Sequence, residues 1–247
     1  VPETVRFIVR GRWQVGVMSK DLILRIIGDV GADGCTYMCA EFLGEGISAL
    51  SPESRLTVSN MCVEMGAKAG VMCVDDSMAG WLQERGVSSE AAIAPDADAS
   101  YVSTHEYDVG ALEPQIALPH TVDNVCPLKE AEGIPVHQAV LGTCTNGRLE
   151  DLRIAARMLR GRTVHNRTRL IVVPASRQVL LDAMKENVIQ TLVSAGGLVL
   201  APGCGPCVGV HGGIPADCEN VISTSNRNFK GRMGNANANI YLASPAT

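Results

Sequence analysis

The stretch Val136-His-Gln-Ala-Val-Leu141, then Gly142-Thr-Cys-Thr-Asn-Gly147, then Leu149 to Arg160, decides the fold. An apolar run of strand length ends in a Gly-rich polar turn, and an amphipathic helix starts directly after it. The order repeats downstream. Thr168–Val173 reads as a strand and Ser176–Asn187 as a helix. A short helix over Val188–Ala195 leads into a strand at Gly197–Ala201, and Glu219–Ser223 is the last clear strand. Such alternation implies right-handed crossovers and a largely parallel sheet, hence an α/β fold. In these sheets ligands lie beyond the carboxyl ends of the strands.

Towards the N-terminus the pattern is also α/β. Val5, Phe7 and Val9 alternate with polar residues over Thr4–Arg10, the signature of a half-buried strand. Ser19 is the expected cap of a helix carrying Leu22, Ile23, Ile26 and Ile27 on one stripe. Cys35–Phe42 reads as a strand ended by Gly44 and Gly46. A helix is expected over Pro52–Ala69, with Pro52 in its first turn and Gly70 just past its end. Then come a short strand at Val71–Val74, a helix at Ser77–Arg85, a loop over residues 88–100 and a strand at Tyr101–Val109. Pro114, Pro119 and Pro127 punctuate the middle, which sets a boundary near residue 112 and two domains, 1–112 and 113–247.

Composition narrows the function classes. Of 247 residues, 46% are apolar and 19% charged, enough for a full core and unlike a disordered chain. The net charge of −5 and an aromatic content of 4% give no footing for nucleic-acid binding. No run of 18 apolar residues is present, so no membrane span is expected. Nine Cys, an odd number spread through apolar runs, point to a reducing, cytoplasmic setting rather than a disulfide scaffold.

Three polar loops follow three of the strands: Gly142–Gly147, Pro202-Gly-Cys-Gly-Pro-Cys207, and Thr224-Ser-Asn-Arg-Asn-Phe-Lys-Gly-Arg232. Parallel strands would bring all three to one edge, with Cys144, Cys204 and Cys207 beside Arg227 and Arg232. Three thiolates suffice for an iron–sulfur cluster with one iron left open. Two other chemistries share these letters. Cys204-Gly-Pro-Cys207 matches a thiol–disulfide redox pair, although Val208-Gly-Val-His-Gly-Gly-Ile-Pro215 makes a poor helix. Cys144, Cys204, Cys207 and His211 could make a Cys₃His zinc site.

These motifs resemble the aconitase superfamily, and within it the large subunits of isopropylmalate isomerases and homoaconitases. The resemblance rests on Leu141–Gly147, Pro202–Cys207, Ser223–Arg232, the 60-position separation of Cys144 and Cys204, and Asn60-Met-Cys-Val-Glu64-Met-Gly. It runs over essentially the whole chain. It implies aconitase-like three-layer α/β domains with largely parallel sheets, 1–112 as the middle domain and 113–247 as the domain carrying the cluster cysteines.

The resemblance further implies a [4Fe–4S] cluster on Cys144, Cys204 and Cys207. It implies that Asn60 and Glu64 face the open iron, their i, i+4 spacing placing both on one helix face. Without it, Glu64 would read as a solvated helix residue. Asn226, Arg227 and Arg232 are implied to contact cluster and substrate, the arginines on carboxylates. The implied activity is that of a hydro-lyase isomerising a hydroxy di- or tricarboxylate by dehydration and rehydration. The 3-isopropylmalate/2-isopropylmalate pair of leucine biosynthesis comes first, with homoaconitase- or dimethylmalate-type substrates as alternatives. An iron-responsive RNA-binding role and a thiol–disulfide oxidoreductase are remote alternatives. The family's N-terminal Ser-Asp-Ser-His-type motif is absent, and Asp75-Asp-Ser-Met78 does not replace it. The mobile fourth domain, with its catalytic Ser, is implied to belong to a partner small subunit. The chain thus reads as a fragment, inactive by itself.

Overall fold

A computed structural model describes residues 2–88 and 92–247. The chain divides into two compact units, Val1–Glu113 and Pro114–Thr247.

The first unit holds a four-stranded, all-parallel sheet built from β1 (Thr4–Arg10), β2 (Cys39–Leu43), β3 (Ala69–Met72) and β4 (Ser103–Asp108), in the order β3-β2-β1-β4. Alternation in β1 buries Val5, Phe7 and Val9, and Phe7 stacks on Phe42 of β2 with ring centroids 5.1 Å apart. Helix α1 (Ser19–Val30) buries Leu22, Ile23, Leu24, Ile26 and Ile27. A short turn, α2 (Glu45–Ser48), follows β2, and α3 (Pro52–Met61) packs on α1. Helix α4 (Asp76–Gln83) precedes the loop before β4, of which residues 89–91 lie outside the described residues.

Several local expectations are corrected here. Ser19 is the first helical residue of α1 rather than its cap. The N–H of Met18 is instead bound by the Asp21 carboxylate at 2.7 Å. Cys35–Met38 form a turn, with Tyr37 at φ 64°, so β2 starts at Cys39. The helix expected over 52–69 ends at Met61. It tightens into a 3₁₀ turn over Cys62–Met65 and stops at Gly66, whose φ of 83° lets Gly66 N–H bond the Val63 carbonyl. Gly70 lies inside β3. Its missing Cβ makes room for Cys62, whose Sγ would be 2.4 Å from it. Buried Arg55 of α3 binds Asp75 at 2.5 Å, and Asp75 caps α4 through Met78 N–H. Asp75 is thus a structural node.

The second unit is a seven-stranded sheet in the order β6-β5-β11-β10-β7-β8-β9. Its parallel part is β7 (Gln138–Gly142), β8 (Arg169–Val173), β9 (Gly197–Val199), β10 (Asn220–Ser223) and β11 (Asn239–Ala243). At one end of the sheet β5 (Gln115–Ala117) pairs antiparallel with β11 and with the edge strand β6 (Val125–Pro127). A helical turn, α5 (Thr143–Asn146), follows β7 directly. Helices α6 (Leu149–Leu159), α7 (Arg177–Lys185) and α8 (Val188–Ser194) cover β7 and β8 around Leu141, Leu152, Leu170, Val172 and Leu192, all buried. The expectation that Glu219–Ser223 is the last strand is corrected: β11 follows it and pairs with β10. Its Asn-rich lead-in, Asn235–Asn239, hides it from a propensity reading.

Candidate functional site

Because β7, β9 and β10 are parallel members of one sheet, the loops after them leave the same edge. The loop after β7 carries Cys144, the one after β9 carries Cys204 and Cys207, and the one after β10 carries Asn226, Arg227 and Arg232.

The carboxyl end of β8 is the base on which both cysteine loops rest. A Cβ on Gly142, at φ 133°, would lie 2.0 Å from the Val173 carbonyl oxygen. A Cβ on Gly205, at φ 53°, would lie 2.6 Å from Val173 Cγ2. Only glycine allows either approach. The loop after β10 is tied to the first cysteine loop by Thr224, whose Oγ1 accepts from Gly142 N–H at 2.8 Å and donates to Gly142 O at 3.2 Å. Thr143, next to Cys144, is held at φ 68°, and its buried hydroxyl has no hydrogen-bond partner among the described residues.

Cys144 and Cys204 are exposed and Cys207 is buried. Cys207 lies in a single 3₁₀ turn, Gly205–Val208, that ends at Gly209. The thiol pair therefore does not open an α-helix, which removes the dipole that activates a thioredoxin-like thiol. Around Cys207 the third loop closes in. Its Sγ is 3.8 Å from Asn226 Oδ1 and accepts from Arg232 Nη2 at 3.5 Å. Arg232 also stacks on Phe229, 5.5 Å from the ring centroid. Its Nε is buried with no hydrogen-bond partner among the described residues. A buried guanidinium N–H without an acceptor is costly, and it marks a place where an acceptor belongs. Arg227 is half-buried on the same loop.

No three His, Cys, Asp or Glu side chains among the described residues converge closely enough to hold one metal ion. The Cys₃His zinc arrangement is thus not formed, and His211 is exposed. A cubane sets a different requirement. Each thiolate meets its own iron, so its ligands are spread around a body rather than gathered on a point.

Asn60 and Glu64 belong to the first unit. Asn60 is the second-last residue of α3 and half-buried, whereas Glu64 is in the 3₁₀ turn beyond it and buried, 9% exposed. Their expected shared α-helical face is therefore broken by the tighter turn, and the solvated reading of Glu64 does not hold.

Two residues at the junction of the first cysteine loop with α6 escaped sequence reasoning. Arg148 donates through its guanidinium to the carbonyls of Thr145 and, at 3.0 Å, Cys144. Asp151, buried, accepts from Asn146 Nδ2 at 3.1 Å and from Arg148 N–H at 3.0 Å. The available signal was an acidic residue three positions after the residue preceding a helix.

The aconitase family (aconitate hydratase) model matches residues 1–133 and 129–247. The chain is 53% identical to 3-isopropylmalate dehydratase large subunit 2 of Archaeoglobus fulgidus and 50% identical to 3-isopropylmalate dehydratase large subunit 1 of Thermotoga maritima. Each match covers all of this chain and 60% of the relative. It is 49% identical to a probable methanogen homoaconitase large subunit of Methanosarcina mazei, again over the whole chain and 62% of that protein. The chain thus spans about 60% of the length of the curated relatives it matches. With both units matched and the cysteine and arginine loops gathered at one sheet edge, the chain belongs to the aconitase family.

Proposed function

We propose that this chain is the cluster-bearing part of a 3-isopropylmalate dehydratase large subunit. The observation that carries the reading is the contact of Arg232 with Cys207, a guanidinium N–H on one candidate ligand thiol with the Nε of the same side chain buried and lacking an acceptor among the described residues.

The residues fit a [4Fe–4S] group. Cys144, Cys204 and Cys207 would hold it, with Asn226 and Arg232 already against Cys207. When bound, such a cluster with one iron free of protein ligands supplies a Lewis acid for a hydroxyl leaving group, without redox change. Arg227 and Arg232 anchor substrate carboxylates, for which a planar two-pronged donor is better suited than an ammonium. Glu64 manages the proton at the departing hydroxyl and Asn60 orients it. These two roles rest on the resemblance alone. The base that takes the proton from the neighbouring carbon comes from a small partner subunit, which also closes the site against water.

The substrate is a small hydroxy acid, 3-isopropylmalate before homocitrate, because the named relatives at 53% and 50% identity are isopropylmalate enzymes and the homoaconitase is at 49%. Turnover is the test. A full-length large subunit with this sequence and a small subunit should dehydrate 2- and 3-isopropylmalate, read as absorbance of the unsaturated acid, while these 247 residues alone should not. Turnover of homocitrate only would select the homoaconitase reading.

A further inference from the structure

The Cys144 loop is held in an unfavourable backbone conformation, and the groups that hold it are not ligands. Gly142 at φ 133° and Thr143 at φ 68° precede Cys144. A non-glycine residue in the left-handed region costs about 1–3 kcal/mol and persists only where its surroundings over-determine it. Thr224 fixes the start of the loop through Gly142.

On the far side, two side chains act together. The Arg148 guanidinium donates to Cys144 O and Thr145 O, the carbonyls of the two successive peptides that follow the thiol residue. Asp151 binds the loop twice, at Asn146 Nδ2 and at Arg148 N–H, and it is 2% exposed. Burial pushes its carboxyl up to about 7 against the lowering effect of those two donors. A buried acid that costly to ionise is retained where its two acceptors are needed in fixed directions.

We propose that Asp151 and Arg148 are the positioning residues of the Cys144 ligand loop. Asp151 fixes Asn146 and the Arg148 backbone, and Arg148 fixes the peptide plane at Cys144. Neither touches the reacting atoms. The inference rests on the reading of Cys144 as a cluster ligand. Its consequence is a Cys144 held in ligand geometry before iron arrives, which lowers the ordering entropy lost on assembly.

The test uses the 247-residue chain with two variants, Arg148→Ala and Asp151→Ala. In the iron-free chain, hydrogen exchange read by mass spectrometry should rise at least about tenfold across residues 143–148 in either variant. Peptides of the first unit should be unchanged. After anaerobic reconstitution, the brown chromophore of Arg148→Ala should bleach in air at least about tenfold faster than that of the parent, in line with the 10–100-fold usually lost with an outer-shell partner. Asp151→Asn, which keeps one acceptor oxygen, should fall between parent and Asp151→Ala in both readouts. Should Asp151→Ala not fold, Arg148→Ala still decides, because it leaves the buried acid and its two bonds in place. Unchanged exchange and unchanged bleaching in Arg148→Ala overturn the proposal. Raised exchange in a chain that takes up no iron, parent included, upholds the positioning role and removes the cluster reading instead.

Discussion

Arg232 Nη2 lies 3.5 Å from Cys207 Sγ, while Nε of the same guanidinium is buried and has no acceptor among the described residues. One planar group thus spans a candidate ligand thiol and a buried position that lacks an acceptor among the described residues. A lysine could reach one of these positions but not both. In the two-subunit enzyme proposed above, Arg232→Lys should retain the parent's iron content and lower kcat/KM. The loss should be on the order of 1.5–3 kcal/mol, the usual contribution of one hydrogen bond to a charged group, since lysine keeps the charge and loses one prong. Unaltered kinetics would show that the side chain is merely packed.

The nine thiols should separate into two groups. Changing Cys144, Cys204 or Cys207 to Ser should each abolish cluster assembly, read as iron per chain after anaerobic reconstitution. Cys73→Ser should leave it intact. Cys62 is no substitute ligand. Burial, with Cys35 and Cys39 nearby, holds its thiol far above the usual range, so it stays neutral.

Gly142→Ala tests the base on which the loop rests. The new methyl would meet Val173 O at 2.0 Å with φ at 133°. The expected destabilisation in urea is about 3 kcal/mol or more, strain and clash together, with loss of iron binding. Gly161→Ala is the comparison. Its φ of 71° is also positive, but nothing lies within 4 Å of the added carbon, so it should cost about 1–2 kcal/mol.

Acid stability should depend on Glu219. Arg169 holds its carboxyl down to about 2 through a two-pronged pairing, helped by Ala216 N–H. A lowered carboxylate contributes stability that is complete above its unfolded value near 4.5 and is lost as pH falls towards about 2. The melting temperature of the parent chain should therefore fall more steeply than that of Glu219→Gln between these limits. The two curves should run parallel above pH 5. Parallel curves throughout would mean that the half-exposed Arg169 is too well screened to matter.

How much of this was legible in the sequence varies with what each residue does. The strand-helix alternation of the second half, and with it the edge holding the three loops, follows from periodicity, because β7, β8, α6 and α7 combine strong patterning with clear ends. Strand β11 did not. Its Asn-rich approach carries no strand signal, and it is fixed by pairing with β10. The helix at Asn60 was legible in kind but not in length, since the change to 3₁₀ at Cys62 rests on Gly66 and not on the residues between. The cysteines and arginines stood out as motifs. Arg148, Asp151 and Thr224 did not, because their work is to bind backbone, and charged or hydroxyl residues do that wherever the fold brings them to a carbonyl or N–H.

The most direct measurement is the iron and acid-labile sulfide content of this chain after anaerobic reconstitution, read with its electron paramagnetic resonance spectrum before and after mild oxidation. A cluster on Cys144, Cys204 and Cys207 predicts about four irons and four sulfides per chain, silent at first. A signal from a three-iron form should then appear as the iron without a protein ligand is lost. One zinc, or no metal, on a colourless and folded chain would contradict the cluster assignment.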